Sequence, residues 1–375
     1  RNGMNRKKLI AFSLSLAMTV VPVTPAAAGA EQNTEGLQNA VLDLEFENSL
    51  EDSSGKGNNG TLSSGEAEYV DGVVGKGLKM NGSSYVNLGN STDLQPENLT
   101  LSFWIRPDSD MKGEELLSWN KNEWYTDGWY LSSENDNTPL TLSVGPAKAN
   151  GQPYRVSVSG KRSEFLPTGE WTHIAVTYDK DSKEICFYRN GVKCSTVTTY
   201  GISGESTGVL GSDATMEKSI GYNGPKYKGA YLKASLDEYQ LYNDVATPEE
   251  VIALYEESGQ TFDRKAVAQA DLDKISIPET TQENLSLPTT GESGSVISWS
   301  SDNEAVVAAD GTVVRPGVGE KDVTVTLTAE ASYLNGEKVT KTYKVTVTAK
   351  QEINITTSSI MGDVTLEDDY LVNAA

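Results

Sequence analysis

Histidine is almost missing from the 375-residue chain, with one copy, and cysteine occurs only twice. One imidazole and two thiols exclude a histidine-rich zinc centre and a multi-disulfide framework. Basic residues are in deficit: 31 Lys and Arg face 53 Asp and Glu, a formal charge of −22. A field of that sign repels phosphate backbones and anionic lipid heads, which argues against nucleic-acid and membrane-surface partners. The sequence also lacks a phosphate-binding loop and a dinucleotide glycine motif. What it does have is bulk. Its 17 Tyr, 6 Trp and 6 Phe supply material for packed cores, and at about 100–200 residues per domain the length suits two domains.

The first 28 residues read as an address. Met4 is followed by Asn5-Arg6-Lys7-Lys8, an apolar run over residues 9–21, and Pro25-Ala26-Ala27-Ala28. A basic start, a short apolar core and a small-residue end describe a secretory signal peptide over 1–28. The apolar run contains serines and is shorter than the roughly 20 residues needed to cross a bilayer. The expectation is a monomeric protein, secreted or associated with the cell surface, with no membrane insertion after cleavage.

Residues 39–258 read as many short strands separated by Gly, Asn, Asp and Ser clusters; residues 99–105, 140–144, 171–178 and 184–188 carry strand chemistry. Thr247-Pro248-Glu249-Glu250 is a capping box with proline at the first helical position. A short helix with Val251, Leu254 and Tyr255 on one face is expected to close the domain. Residues 259–269 read as a linker. Over 270–350, apolar residues alternate with threonines in Val323-Thr324-Val325-Thr326-Leu327-Thr328 and Tyr343-Lys344-Val345-Thr346-Val347-Thr348. Some seven strands with Trp299 in a two-sheet core suit an immunoglobulin-like sandwich.

Cys186 and Cys194 flank Asn190-Gly191, a strong hairpin signal because both residues tolerate positive φ. A two-residue loop puts the cysteines on opposite faces. A three-residue loop, Arg189 to Gly191 with a bulge, opposes them directly and allows a Cys186–Cys194 disulfide. The alternatives are that disulfide and two small buried thiols.

Several stretches match known families. Asp52-Ser53-Ser54-Gly55-Lys56-Gly57-Asn58-Asn59-Gly60, Leu101-Ser102-Phe103-Trp104-Ile105-Arg106-Pro107, Glu170-Trp171-Thr172-His173-Ile174-Ala175-Val176, Tyr188-Arg189-Asn190-Gly191 and Leu236-Asp237-Glu238-Tyr239-Gln240-Leu241-Tyr242-Asn243 resemble the laminin-G-like, concanavalin A-like jelly rolls of secreted bacterial proteins. Trp299-Ser300-Ser301-Asp302-Asn303 and Asp310-Gly311-Thr312-Val313 are similar to a bacterial Ig-like module. The tail, from Ile360-Met361-Gly362-Asp363 to Ala375, is similar to the opening of secreted β-L-arabinofuranosidase glycoside hydrolases. The fold implied is all-β, a concanavalin A-like jelly-roll sandwich followed by a small Ig-like β-sandwich. Residues 351–375 would then be a linker and the start of a truncated catalytic domain.

These resemblances imply the non-catalytic front of a carbohydrate-active enzyme. The carboxylate pattern of related jelly-roll hydrolases, Glu-x-Asp-x-x-Glu on one strand, is missing. A Ser-His-Asp arrangement would need His173, which reads as a strand histidine fixed by its neighbours. Loop 52–60 can present oxygens to calcium, or can be a turn cluster held by Asx hydrogen bonds. The jelly-roll resemblance implicates Asp52 and Asn58 with Asp237 in a structural calcium site. For a poly- or oligosaccharide, aromatic faces beside polar edges are needed. Trp104 and Trp171 read as core, as does one of Trp129 and Tyr130. Trp124 and Tyr125 remain as surface candidates, with Tyr222 and Tyr227 on a second loop. The function expected is a carbohydrate-binding and spacer region of a secreted, arabinofuranosidase-like glycoside hydrolase. The alternative is a structural or adhesive surface protein without glycan binding.

Overall fold

A computed structural model describes residues 37–38, 40–108, 111, 115–121, 128–145, 154–200, 217–222, 231–355 and 370–374. The expected signal peptide and most of the tail similar to arabinofuranosidases lie outside these residues.

Two eight-stranded sheets form the first domain. One runs in the order β13 (Val192–Lys193), β12 (Ile185–Arg189), β11 (Thr172–Tyr178), β6 (Leu99–Pro107), β16 (Lys233–Tyr242), β4 (Lys76–Asn81) and β3 (Glu68–Asp71), with β1 (Ala40–Leu44) also paired to β16. The other runs in the order β14 (Val197–Tyr200), β10 (Tyr154–Val158), β9 (Leu140–Val144), β8 (Gly128–Ser133), β7 (Glu115–Lys121), β15 (Ser219–Ile220), β5 (Val86–Asn87) and β2 (Thr61–Leu62). Their inward side chains alternate along each strand and meet in one core. Leu101, Phe103 and Ile105 of β6, Ile174 and Val176 of β11, and Leu131, Leu142 and Val144 of the second sheet belong to it.

The outer side of the first sheet is covered too. A single helical turn, α1, spans Arg162–Phe165, and the expected closing helix is α2 (Pro248–Glu257). Its capping box is complete: Thr247 Oγ1 accepts from Glu250 N at 3.2 Å, and Glu250 Oε2 accepts from Thr247 N at 2.8 Å. Val251 packs on Ala175, Cys186 and Tyr188, and Tyr255 stacks on Trp104 with centroids 5.5 Å apart. Central strands β6 and β11 are therefore buried on both faces.

The β12–β13 hairpin corrects the cysteine expectation. Its register pairs Tyr188 with Lys193 and Arg189 with Val192, so the loop is two residues, Asn190 and Gly191. Their φ angles, 48° and 82°, suit the turn whose twist matches the strands. Cys194 N donates to Phe187 O at 2.8 Å, which leaves Cys186 facing α2 and Cys194 facing the sandwich core. The thiols lie on opposite faces and are both free.

The stretch expected to be a linker over 259–269 holds most of α3 (Arg264–Asp273). Asp263 Oδ1 caps it by accepting from Ala266 N at 2.9 Å, and Ala268 and Leu272, one turn apart, are fully buried. The helix packs on a four-stranded sheet in the order β17 (Thr280–Thr281), β20 (Val339–Val347), β19 (Val323–Ser332) and β18 (Val296–Ser301). This is fewer than the seven strands expected. Irregular segments carrying Leu285 and Val307 cover one end of the β19 face, and α3 covers the other end. Trp299 packs against both clusters and donates to Pro288 O at 2.9 Å. Finally, β21 (Gln351–Ile355) and β22 (Tyr370–Ala374) pair in parallel.

Candidate functional site

Antiparallel partners directly opposite each other share a face, so the registers of the second sheet define rows. One row crosses all eight strands: Thr61, Asn87, Ser219, Trp119, Tyr130, Ser143, Arg155 and Tyr200. At about 4.8 Å per strand it is about 34 Å long. The intervening residues Val86, Ile220, Leu131, Leu142 and Val156 point into the core, so Asn87, Ser219, Tyr130, Ser143 and Arg155 lie on the outer face. A shorter row beside it joins Ser132, Thr141, Ser157 and Thr198.

This face is polar yet enclosed. Tyr130, Ser132, Thr141, Ser143 and Ser157 are each no more than 1% exposed. Thr141 Oγ1 and Ser157 Oγ are 2.6 Å apart, and Arg155 pairs with Glu134 at 3.5 Å. Ser132 Oγ and Ser143 Oγ are buried without a hydrogen-bond partner. A buried hydroxyl left unpaired costs about 1–3 kcal/mol, so the two are a local cost to stability.

Three tyrosines cluster at the β5–β15 end of the same sheet. Tyr222 stacks on Tyr85 with centroids 4.7 Å apart and on Tyr231 with centroids 4.8 Å apart. Tyr85 and Tyr231 are themselves 6.4 Å apart, so the nearly parallel rings form a triangle rather than a column. Tyr85 is held by the strand ladder: its N donates to Ser63 Oγ at 3.0 Å, and its O accepts from Ser63 N at 2.9 Å. Partial burial, then the Glu217 carboxylate, raises its phenol pKa. All three rings stay partly exposed. Tyr222 was expected from the sequence; Trp124, Tyr125 and Tyr227 lie outside the described residues. Tyr85, Tyr130, Ser132, Ser143 and Tyr231 were missed because the strand registers that gather them are set by tertiary pairing.

The residues expected to hold calcium do other work. Asp52 Oδ1 accepts from Asp43 N and Ser54 N, both at 2.9 Å, and its Oδ2 accepts from Ser54 Oγ and Asn58 N, both at 2.8 Å. Asn58 Nδ2 donates to Val41 O at 2.7 Å. Together they staple loop 52–60 to β1, with every acceptor position of Asp52 occupied. Asp237 serves another turn: its Oδ2 accepts from Val73 N at 2.7 Å and Val74 N at 3.0 Å, and its Oδ1 accepts from Glu238 N at 2.9 Å. A β-carbon on Gly72 would sit 2.5 Å from that Oδ2. Burial pushes the Asp237 pKa up to about 6 against these three N–H donors. Among the described residues no cluster of His, Cys, Asp and Glu is placed to hold a metal. Asp52, Asn58 and Asp237 do not fit a calcium cage.

His173 is 1% exposed, with Nε2 2.9 Å from Ser102 Oγ and its ring against Trp104 and Tyr255. Its Nδ1 has no partner, and burial drives its pKa down to about 3. With no carboxylate to orient it and α2 closing the space, the Ser–His contact is a core hydrogen bond. Trp104 is core as expected, but Trp171 is half-buried beneath the Arg106 guanidinium, 4.9 Å from its ring centre. Trp129 and Tyr130 are both buried, because both faces of β8 are covered.

Comparison with known proteins agrees with this architecture. Residues 80–252 match the model of the concanavalin A-like lectin/glucanases superfamily, and residues 265–350 match the atrophied bacterial Ig domain. The chain joins a laminin-G-like, concanavalin A-like domain to a bacterial Ig-like domain. The concanavalin A-like domain supplies both rows and the tyrosine triangle. An alpha-L-arabinofuranosidase of Bifidobacterium longum is 36% identical over 126 residues, which span 27% of this chain and 12% of that protein. Domain 4 of AbnA, an extracellular GH43 arabinanase from Geobacillus stearothermophilus solved with arabinotriose, is 21% identical with a TM-score of 0.43, covering 58% of this chain and 99% of its own. The binding domain of Paraclostridial Mosquitocidal Protein 1 is 17% identical with a TM-score of 0.45, covering 80% and 82%. Likenesses at that level carry nothing about this chain's ligand.

Proposed function

We propose that the concanavalin A-like domain is a non-catalytic glycan-binding module of a secreted glycoside hydrolase, and that glycan docks at the β5–β15 end of its second sheet, on the partly exposed Tyr85, Tyr222 and Tyr231. The observation that carries this reading is the partly exposed tyrosine triangle, with Tyr222 stacked on Tyr85 and on Tyr231. A sugar offers apolar ring faces for these aromatic rings and hydroxyls for the phenol oxygens at their edges. The charge of −22 favours a neutral glycan over a polyuronate. The stretch shared with an arabinofuranosidase makes arabinose-containing polymers the first ligands to try. Weak binding suffices, because tethering to a catalyst on a polymeric substrate raises effective concentration.

Affinity electrophoresis of the chain on arabinan, arabinoxylan and polygalacturonate tests the reading. Retardation on the neutral arabinose polymers, weakened at least tenfold by Tyr222→Ala, is expected. Folded protein that runs unretarded on all three would remove the proposal.

A further inference from the structure

The Ig-like domain meets the first domain through a continuous buried cluster. Ile252 of α2, Phe262, Leu272 of α3, Ala331 and Val339 of the Ig-like sheet, and Tyr333 just past β19 all belong to it, with Val192 of the hairpin packed alongside. Phe262 is the centre. It is 9% exposed although it lies in the connector between two helices. Its ring meets Tyr255 edge-on at 6.2 Å, Tyr333 at 6.0 Å and the Arg264 guanidinium at 5.9 Å. Its N donates to Glu256 Oε1 at 3.1 Å, which fastens the connector to the end of α2. Trp104, Tyr255, Phe262 and Tyr333 thus form an aromatic chain from β6 of the first sheet to the Ig-like sheet.

The hairpin turn accepts this contact only because residue 191 is glycine. A β-carbon there would lie 2.8 Å from two atoms of the Phe262 ring. A second approach lies nearby, where Cys186, Lys193 and Ser195 wall one side of a cavity of about 370 Å³ and Thr290, Glu292 and Ser293 wall the other. A linker free to swing would keep its aromatic residues out of a shared core, since each costs free energy to expose again.

We infer that the Ig-like domain is locked against the outer side of the first sheet, with Phe262 as the key, so that the two domains move as one rigid body. The module is a strut rather than a flexible spacer. It fixes the direction in which the chain leaves at residue 350 relative to the outer face of the second sheet. This inference stands whether or not that face binds glycan.

Nitrogen-15 relaxation of the whole chain reads it directly, as a rotational correlation time for each domain. One common correlation time is expected for residues 40–258 and 280–347. In Phe262→Ala the Ig-like residues should show a correlation time at least a third shorter, with the amide spectra of both domains still dispersed. Two different correlation times in the unmodified chain would overturn the inference. So would a Phe262→Ala variant that stays folded and keeps a single value. If Phe262→Ala is poorly folded, Phe262→Ser read alongside the unmodified chain applies the same criterion.

Discussion

Gly191 and Phe262 stand so close that the turn of one domain and the connector to the next share a single packing site. At φ 82° an alanine side chain is strained before it meets any neighbour, and here it also meets the ring. Gly191→Ala is expected to destabilise the chain by about 2–4 kcal/mol, combining left-handed strain with overpacking. Urea denaturation measures it, and an unchanged midpoint would contradict the close approach.

Two buried groups give pH dependences of opposite sign. His173 titrates near 3 when folded and near 6.5 when free, so between those values the unfolded chain binds a proton that the native one refuses. Falling pH therefore lowers stability, by about 2 kcal/mol at pH 5. Asp237 is pushed up to about 6 from 3.8, so its contribution is greatest below 3.8 and is lost as pH rises through 6. Asp237→Asn removes that opposing effect. Thermal melts from pH 7 to pH 5 should fall more steeply for this variant than for the unmodified chain; parallel curves would count against the burial of Asp237.

Asp52 accepts four hydrogen bonds that hold loop 52–60 to β1. Asp52→Ala should cost about 2–3 kcal/mol, since it strands buried N–H donors. A chelator should leave the melting temperature of the unmodified chain where it was. A fall of several degrees on adding chelator, restored by calcium, would show that loop 52–60 has a second role.

Ser132 and Ser143 each carry a buried hydroxyl without a hydrogen-bond partner. Replacing either with alanine removes an unpaired buried hydroxyl, so stability should hold or rise by up to about 1 kcal/mol. Loss of stability in both would mean that the hydroxyls are already satisfied within the fold.

Much of this protein is written in local pattern. Alternation in Val323–Ser332 names that strand, because a pleated strand with one buried face needs period two. Thr247 with Glu250 names the start of α2, because unpaired N–H groups at a helix start need those two side chains. The single histidine and the charge of −22 narrow the chemistry with no fold at all. Pairing between distant strands decided the rest. Asn190-Gly191 allowed two loop lengths, and only the observed register put Cys186 and Cys194 on opposite faces. Ser143 and Arg155 became neighbours, and Tyr85 reached Tyr222 across more than 130 residues, through ladders that no local window contains. Local sequence sets which side of a strand is apolar, but which strands lie next to each other depends on the free energy of the whole core, and a binding face is a property of those neighbours.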